Sequence, residues 1–411
     1  MKNLNTTFYF LCFSTLITME AYSRQTQEIM ASSTPLKKPE PVSGEVIKED
    51  EKEEEAKPTF TLSGSVDTYF HSTFKTSNYY YGDANAPSTS FADQKGFALG
   101  MVNLIATYSG EKAGFTADLV FGPRGKAAVF GTASGQAIIN QAFVFYKFSD
   151  KVTFNLGQFN TFVGYEVISP TVNFHYSTSY LFSWGPFNHT GARLDLALEN
   201  GIVAKLAVMN PTDIVEFNPV NTYTLGAQVG KVSDKGGIWL NFLFGDQDGT
   251  LDADDAAPLE TSAGNLLQGD ITLGYSLTEK FYLGFNASVQ SVATGEEVDT
   301  NGDIIDTDGD ASSFYGAAIY PKVTLSESFA IGLRAEYFST KNNHFASPII
   351  GLDDGDGSVM EFTLSANYKT GGLTFIPEIR IDKTSEDSFI SDSGEAKTIL
   401  PSINIAAVYK F

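Results

Sequence analysis

The chain has one cysteine, Cys12, and little basic charge: 27 Lys and Arg stand against 49 Asp and Glu, a formal charge of −22. Histidine is scarce, at four residues, and tryptophan scarcer, at two. Each shortage excludes something. The acidic balance rules out a nucleic-acid binder working through a basic face. Cys12 lies inside an apolar N-terminal run, so the chain beyond that run has neither a disulfide nor a thiol nucleophile. Phe10 and Leu11 precede it where a lipidation site needs small residues. Neither H-E-x-x-H nor G-x-S-x-G occurs. His71, His175, His189 and His344 therefore form no hydrolase or metalloprotease signature. His189 lies close to Ser183 in sequence, but nothing orients that pair, and no enzyme is expected. Trp184 and Trp239 read as packing or interface rings.

The N-terminus reads as a targeting segment. Lys2 supplies positive charge, Phe8 to Met19 (FYFLCFSTLITM) is apolar but too short to span a bilayer as a helix, and Ala21-Tyr22-Ser23 offers a cleavage pattern. Residues 1–23 are thus expected to be a signal peptide, removed on export. Residues 24–57 are a different material. Eight acids and three lysines lie between Glu40 and Lys57, with no aromatics, as in a solvated, disordered periplasmic arm.

From Thr59 onward the pattern has period two. Phe281, Leu283, Phe285, Ala287 and Val289 share one face, and Tyr282, Gly284, Asn286, Ser288 and Gln290 the other. Such segments run over 59–74, 96–109, 113–123, 137–148, 151–160, 188–199, 201–210, 222–232, 235–245, 267–277, 280–291, 313–325, 328–340, 358–369, 372–383 and 397–411. Each is around ten residues or longer, as a tilted strand across a bilayer needs. Short connections such as Asn200-Gly201 and Thr370-Gly371 alternate with long ones. The pattern predicts an all-β protein: over 58–411, a transmembrane up-and-down antiparallel β-barrel of about sixteen strands, with short periplasmic turns and long extracellular loops. Tyr108, Tyr146, Tyr275, Tyr368 and Tyr409 fall near strand ends on the apolar face, as an aromatic girdle would. Pro377 falls mid-strand and should force a bulge or a local break.

The third long connection, Thr161 to Phe187, is crowded with Phe, Tyr, Asn and Ser, and Glu166 is its only acid. Rings of this kind need burial, so the loop is expected to fold into the lumen and narrow it. The same region carries Gly157-Gln158-Phe159, Gly164-Tyr165-Glu166, Asn173, Tyr176-Ser177, Ser179, Pro186-Phe187 and His189-Thr190-Gly191. It resembles the signature of the OmpL-like β-barrel porin family of Gram-negative outer membranes. The resemblance is specific over some forty residues of this chain and implies an outer-membrane barrel with a diffusion role, without naming a solute.

Alternation turns Asp67, Asp118, Arg193, Asp195, Lys205, Arg334, Glu336, Glu378, Arg380 and Asp382 inward. Together with Tyr165, Glu166, Asn173 and Tyr176 of the loop, the set from Arg193 onward is the expected pore lining or constriction. These charges either sort solutes or merely pair and hydrate the wall. Two long loops are acidic, and Asp299, Asn301, Asp303, Asp306, Asp308 and Asp310 place oxygens at Ca²⁺-like spacing, though without the EF-hand pattern. A solvated acidic loop is the simpler explanation of them, and no other cofactor is expected. The function expected is an outer-membrane porin passing small hydrophilic solutes, with a preference for cations. Its partners would be outer-membrane lipid, the solutes themselves and the outer-membrane assembly machinery, with no nucleic acid. The alternative is a largely plugged barrel acting in binding or assembly through its acidic loops or arm.

Overall fold

The computed structural model describes residues 58–74, 89–129, 138–218, 222–247, 261–298, 304–306, 311–342 and 356–411. The predicted signal peptide and acidic arm lie outside the described residues.

Sixteen long strands run up and down in chain order: β1 (Thr59–Thr73), β2 (Gly96–Ser109), β3 (Ala113–Phe121), β4 (Ile139–Ser149), β5 (Val152–Asn160), β6 (Asn188–Ala197), β7 (Ile202–Met209), β8 (Thr224–Ser233), β9 (Gly236–Asp246), β10 (Thr261–Ser276), β11 (Phe281–Val298), then β13 (Ser312–Ser326), β14 (Phe329–Lys341), β15 (Gly357–Thr370), β16 (Leu373–Thr384) and β19 (Ile399–Lys410). Between them, β12 (Ile304–Asp306) pairs with the end of β11, and β17 (Phe389–Ile390) with β18 (Ala396–Lys397) forms a small hairpin. Every long strand is antiparallel to its neighbours, and β1 pairs with both β2 and β19, so the sheet closes. Phe411 completes the seam by exchanging two backbone hydrogen bonds with Gly64, each 3.0 Å. Closure leaves no unpaired edge, which the hydrocarbon of a bilayer demands.

The strands follow from the alternation. In β15, Met360, Phe362 and Leu364 are each about half exposed on the outer face, while Glu361, Thr363, Ser365 and Asn367 are buried inside. Tyr108, Tyr146, Tyr368 and Tyr409 also face out. The Asn200-Gly201 turn forms as its residues demand, with φ of 58° and 72°, the paired left-handed geometry of a tight hairpin.

Sequence and structure differ at strand ends. β10 begins at Thr261 and β11 runs to Val298, several residues beyond the predicted ends, because this hairpin continues into an acidic stretch where apolar alternation has faded. At Pro377 the expected local break forms, without a bulge. The register between β15 and β16 is unchanged from Ser365↔Glu378 to Tyr368↔Phe375, and the ladder simply lacks pairings at Ile376 and Pro377. Pro377 has no N–H to give, and the register absorbs that locally while the other edge still pairs with Ile405.

A Leu364→Arg substitution places a charge mid-strand on the outer face, where it should cost about 2–4 kcal/mol. The folded barrel, followed by heat-dependent mobility in SDS gels, should melt at lower temperature than one carrying Ser365→Thr on the inner face.

Candidate functional site

Residues 161–187 leave β5, fold into the barrel and return to β6. The base of the loop is closed by Thr161 N–H donating to the Phe187 carbonyl at 3.0 Å, and His189 Nε2 lies 2.8 Å from Thr161 Oγ1. Asn173 makes an internal clasp: its Oδ1 accepts from Val167 N–H at 2.9 Å and its Nδ2 donates to the Val167 carbonyl at 2.6 Å. Ser179 caps a one-turn helix, α2 (Tyr180–Ser183), by accepting from Phe182 N–H at 3.0 Å.

Carboxylates reaching from the loop's own chain and from the wall hold the remainder. Glu378 accepts the N–H groups of Tyr176 and Ser177 at 2.9 and 3.2 Å. Glu336 accepts those of Tyr180 and Leu181, both at 2.7 Å. Glu166 accepts Ser179 N–H at 2.7 Å. Two guanidinium groups tie Glu166 to further acids of the wall. Arg334 donates to Glu166 at 2.7 Å, to Glu361 at 2.9 Å and to the Ser177 carbonyl at 2.8 Å. Arg380 donates to Asp382 at 2.7 Å and to the Thr178 carbonyl at 2.7 Å. Arg334, Arg380, Glu361 and Asp382 are 0% exposed. Buried ions of this kind persist only when paired and hydrogen-bonded, as these are.

The rings of the loop add packing. Tyr165 stacks on Tyr320 of β13 with centroids 4.2 Å apart. Tyr176 donates to Asp67 at 2.6 Å and Tyr180 to Asp382 at 3.0 Å. Burial, then the adjacent carboxylate, pushes each phenol well above its ordinary pKa, so both stay donors. The wall opposite is cut away to receive them. A Cβ added at Gly100 would strike Tyr176 as well as Asp67, one at Gly284 would strike Tyr165, and one at Gly332 would strike Phe174. Two further segments press on the loop. Ser90 N–H donates to Ser183 Oγ at 2.8 Å, and Arg124 of the short helix α1 (Pro123–Ala128) donates to the Ile168 carbonyl at 3.0 Å while lying 4.2 Å over the Phe91 ring.

The sequence-predicted residues thus fall into two groups. Tyr165, Glu166, Asn173, Tyr176, Arg334, Glu336, Glu378, Arg380 and Asp382 gather around the loop. Arg193, Asp195 and Lys205 form a separate cluster on β6 and β7, where Arg193 Nε meets Asp195 at 2.8 Å and Lys205 lies 3.7 Å from it. Glu361 was legible as inward-facing, but nothing in the sequence announced its partner Arg334. Arg124 and Ser90 carried no signal, because they sit in long loops without periodicity. Asp118 and Asp270 point inward with neutral amide partners: Asn140 and Gln141 for the first, Asn241 and Asn286 for the second. Ser183 and His189 engage different partners, Ser90 and Thr161. Of the proposed Ca²⁺ ligands, Asp299, Asn301, Asp303, Asp308 and Asp310 lie outside the described residues, as does His344; only the backbone of Asp306 is described.

Below the loop, at the short-turn end, lies a cavity of about 330 Å³. The arrangement holds an irregular segment rigidly across the barrel and leaves space beneath it.

Residues 59–411 match the model of a family described as "Putative beta-barrel porin-2, OmpL-like". No sequence among the curated proteins matches the chain. Among solved structures, the fold is similar to the outer membrane channel DcaP of Acinetobacter baumannii, with 11% identity, a TM-score of 0.56, and coverage of 87% of this chain and 98% of that one. It is also similar to a loop-deletion mutant of OmpT from Vibrio cholerae (11%, 0.54, 86% and 99%) and to OmpF of Salmonella typhi in complex with daunomycin (11%, 0.52, 86% and 97%). At these identities the likeness is one of fold.

Arg334→Met should leave Glu166 and Glu361 buried without their shared cation and cost about 3–5 kcal/mol. Limited proteolysis should then cut within 161–187, where the parent protein resists. His175 supplies a pH signature. Burial, then the nearby Arg334 charge, lowers its pKa from 6.5 to about 3. The unfolded chain therefore binds the proton first, and stability present above pH 6.5 drains away as pH falls toward 3. His175→Gln should flatten that acid limb in denaturation curves recorded across this window.

Proposed function

Because the chain belongs to the OmpL-like β-barrel porin family, we propose that it lets small hydrophilic solutes diffuse across a Gram-negative outer membrane through a lumen narrowed by residues 161–187. One observation carries the reading: the loop is bonded to the far wall at Glu336 and Glu378, so it spans the lumen at a set height. A constriction made this way is rigid, as selectivity by size and charge requires. Cation preference is supported by Asp118 and Asp270, inward carboxylates whose hydrogen-bond partners are amides. Asp270 also accepts from Gly164 N–H of the loop at 3.1 Å, so its charge sits at the loop's edge, where its field favours cations.

A second reading has its own support. Arg334, Arg380, Glu361 and Asp382 are wholly buried, so at loop height this wall is sealed against water. In a largely plugged barrel the same network would serve as a closed stopper, and the protein would act in binding or assembly.

Planar-bilayer recording separates the two. The diffusion reading expects steady conductance with a reversal potential set by the cation gradient, and sugar-driven liposome swelling. A reversal potential set by chloride removes the preference. Absent conductance and swelling, restored on deletion of residues 161–187, favour the stopper.

A further inference from the structure

Trp239 stands apart among the lumen-facing rings near the short-turn end. Leu240 and Phe242 are exposed on the outer face of β9, so Trp239 turns inward, where it is partly exposed. Two glycines cut its seat. A Cβ added at Gly230, its register partner on β8, would strike Cδ1 and Nε1, and one at Gly237 would strike Cζ2 and Cη2. The indole edge from Cδ1 to Cη2 therefore runs along the wall over both glycines, a close approach that repays their cost to the strands. Among the described residues Trp239 has no ring, cation or hydrogen-bond partner, and its Nε1–H is not sealed from solvent. A ring placed only for packing would be covered.

Its neighbours supply polar groups that are also unspent. The row continues from Trp239 to Thr272 of β10 and Asn286 of β11, each the register partner of the one before, so their side chains are adjacent on the inner face. Thr272 is 6% exposed, and its hydroxyl has no hydrogen-bond partner among the described residues, yet it keeps accessible surface. Asn286 commits Nδ2 to Asp270 and to the Ile271 carbonyl and leaves Oδ1 without a donor. The row beneath is Gly237, Gly274 and Gly284, and the Tyr282 phenol takes the room over Gly274. Both rows are uncharged. Asp270, the inward carboxylate next along β10, is occupied by Asn241, Asn286 and Gly164 N–H.

We infer that this niche on β8 to β11 is a binding subsite for the pyranose ring of a neutral sugar. The C–H face of the sugar packs on the indole, whose N–H donates to a sugar oxygen. The Thr272 hydroxyl exchanges a hydrogen bond with the sugar, and Asn286 Oδ1 accepts from a second sugar hydroxyl. An organic cation finds the indole but no free carboxylate beside it. An open-chain polyol finds the hydrogen bonds but brings no flat face. The subsite rests on the diffusion reading for its role, a solute held at the inner mouth, whereas binding itself needs no open path.

The test is fluorescence of the detergent-solubilised chain carrying Trp184→Phe, which leaves Trp239 as its one tryptophan. Maltose should change the emission saturably, and sorbitol and tetramethylammonium should bind at least about tenfold more weakly, as loss of stacking or of hydrogen bonds implies. The parent chain should show the same response to maltose, and Trp239→Leu should lose it. Thr272→Val, which keeps the side-chain shape, should weaken maltose about three- to tenfold, as loss of one hydrogen bond implies. No saturable response to maltose, an equal response to sorbitol, tighter binding of tetramethylammonium, or undiminished maltose binding by Thr272→Val would each overturn the inference. Maltose binding in a barrel with neither conductance nor swelling would end the diffusion reading and leave the subsite standing. Swelling without a maltose response would do the opposite.

Discussion

Glu336 and Glu378 each accept two consecutive backbone N–H groups from the segment that crosses the lumen. An irregular loop inside a barrel has no ladder to pair with, and its buried N–H groups must find acceptors elsewhere. Carboxylates on the wall supply them. Beside them Glu166, which takes Ser179 N–H, is met by the Arg334 guanidinium, and Glu361 lies between Arg334 and Arg380. The guanidinium groups in turn have more donors than one acid can take. They spend the surplus on the Ser177 and Thr178 carbonyls and on Glu361. Each group answers a need created by the one before it, until loop and wall are a single bonded unit.

The wall is shaped for this purpose as well as charged for it. Gly100, Gly284 and Gly332 stand where any side chain would occupy the space of a loop ring. Strand glycines weaken a sheet unless close approach repays them, and here the approach is made by Tyr176, Tyr165 and Phe174. The outer face of the same strands meets a simpler demand, that of presenting apolar surface to lipid. One backbone therefore carries two codes, offset by a single residue.

Charge is distributed along the lumen rather than uniform. Amide-held carboxylates, Asp118 and Asp270, mark the wall, the ion-pair network belts the loop, and the uncharged Trp239, Thr272 and Asn286 share one row of β9 to β11. The net charge of −22 conceals this order. A solute crossing the barrel would meet charged and uncharged wall in turn.

Alternation alone was enough to place all sixteen strands and to turn Arg334, Glu336, Glu361, Glu378 and Arg380 inward, because which face a strand residue takes depends only on its neighbours in the chain. Composition alone marked 161–187 as a segment needing burial. Local pattern cannot say which distant groups meet. Arg334 lies 168 positions from Glu166 and Tyr176 lies 109 from Asp67, and their contacts depend on barrel closure and on where the loop lands. Pro377 makes the same point in reverse: its missing donor was evident in the chain, but only the paired register on both sides decided that no bulge was required. Periodicity is a property of neighbours and survives in a one-dimensional string. The pairing of buried charges exists only once sixteen strands have closed around them.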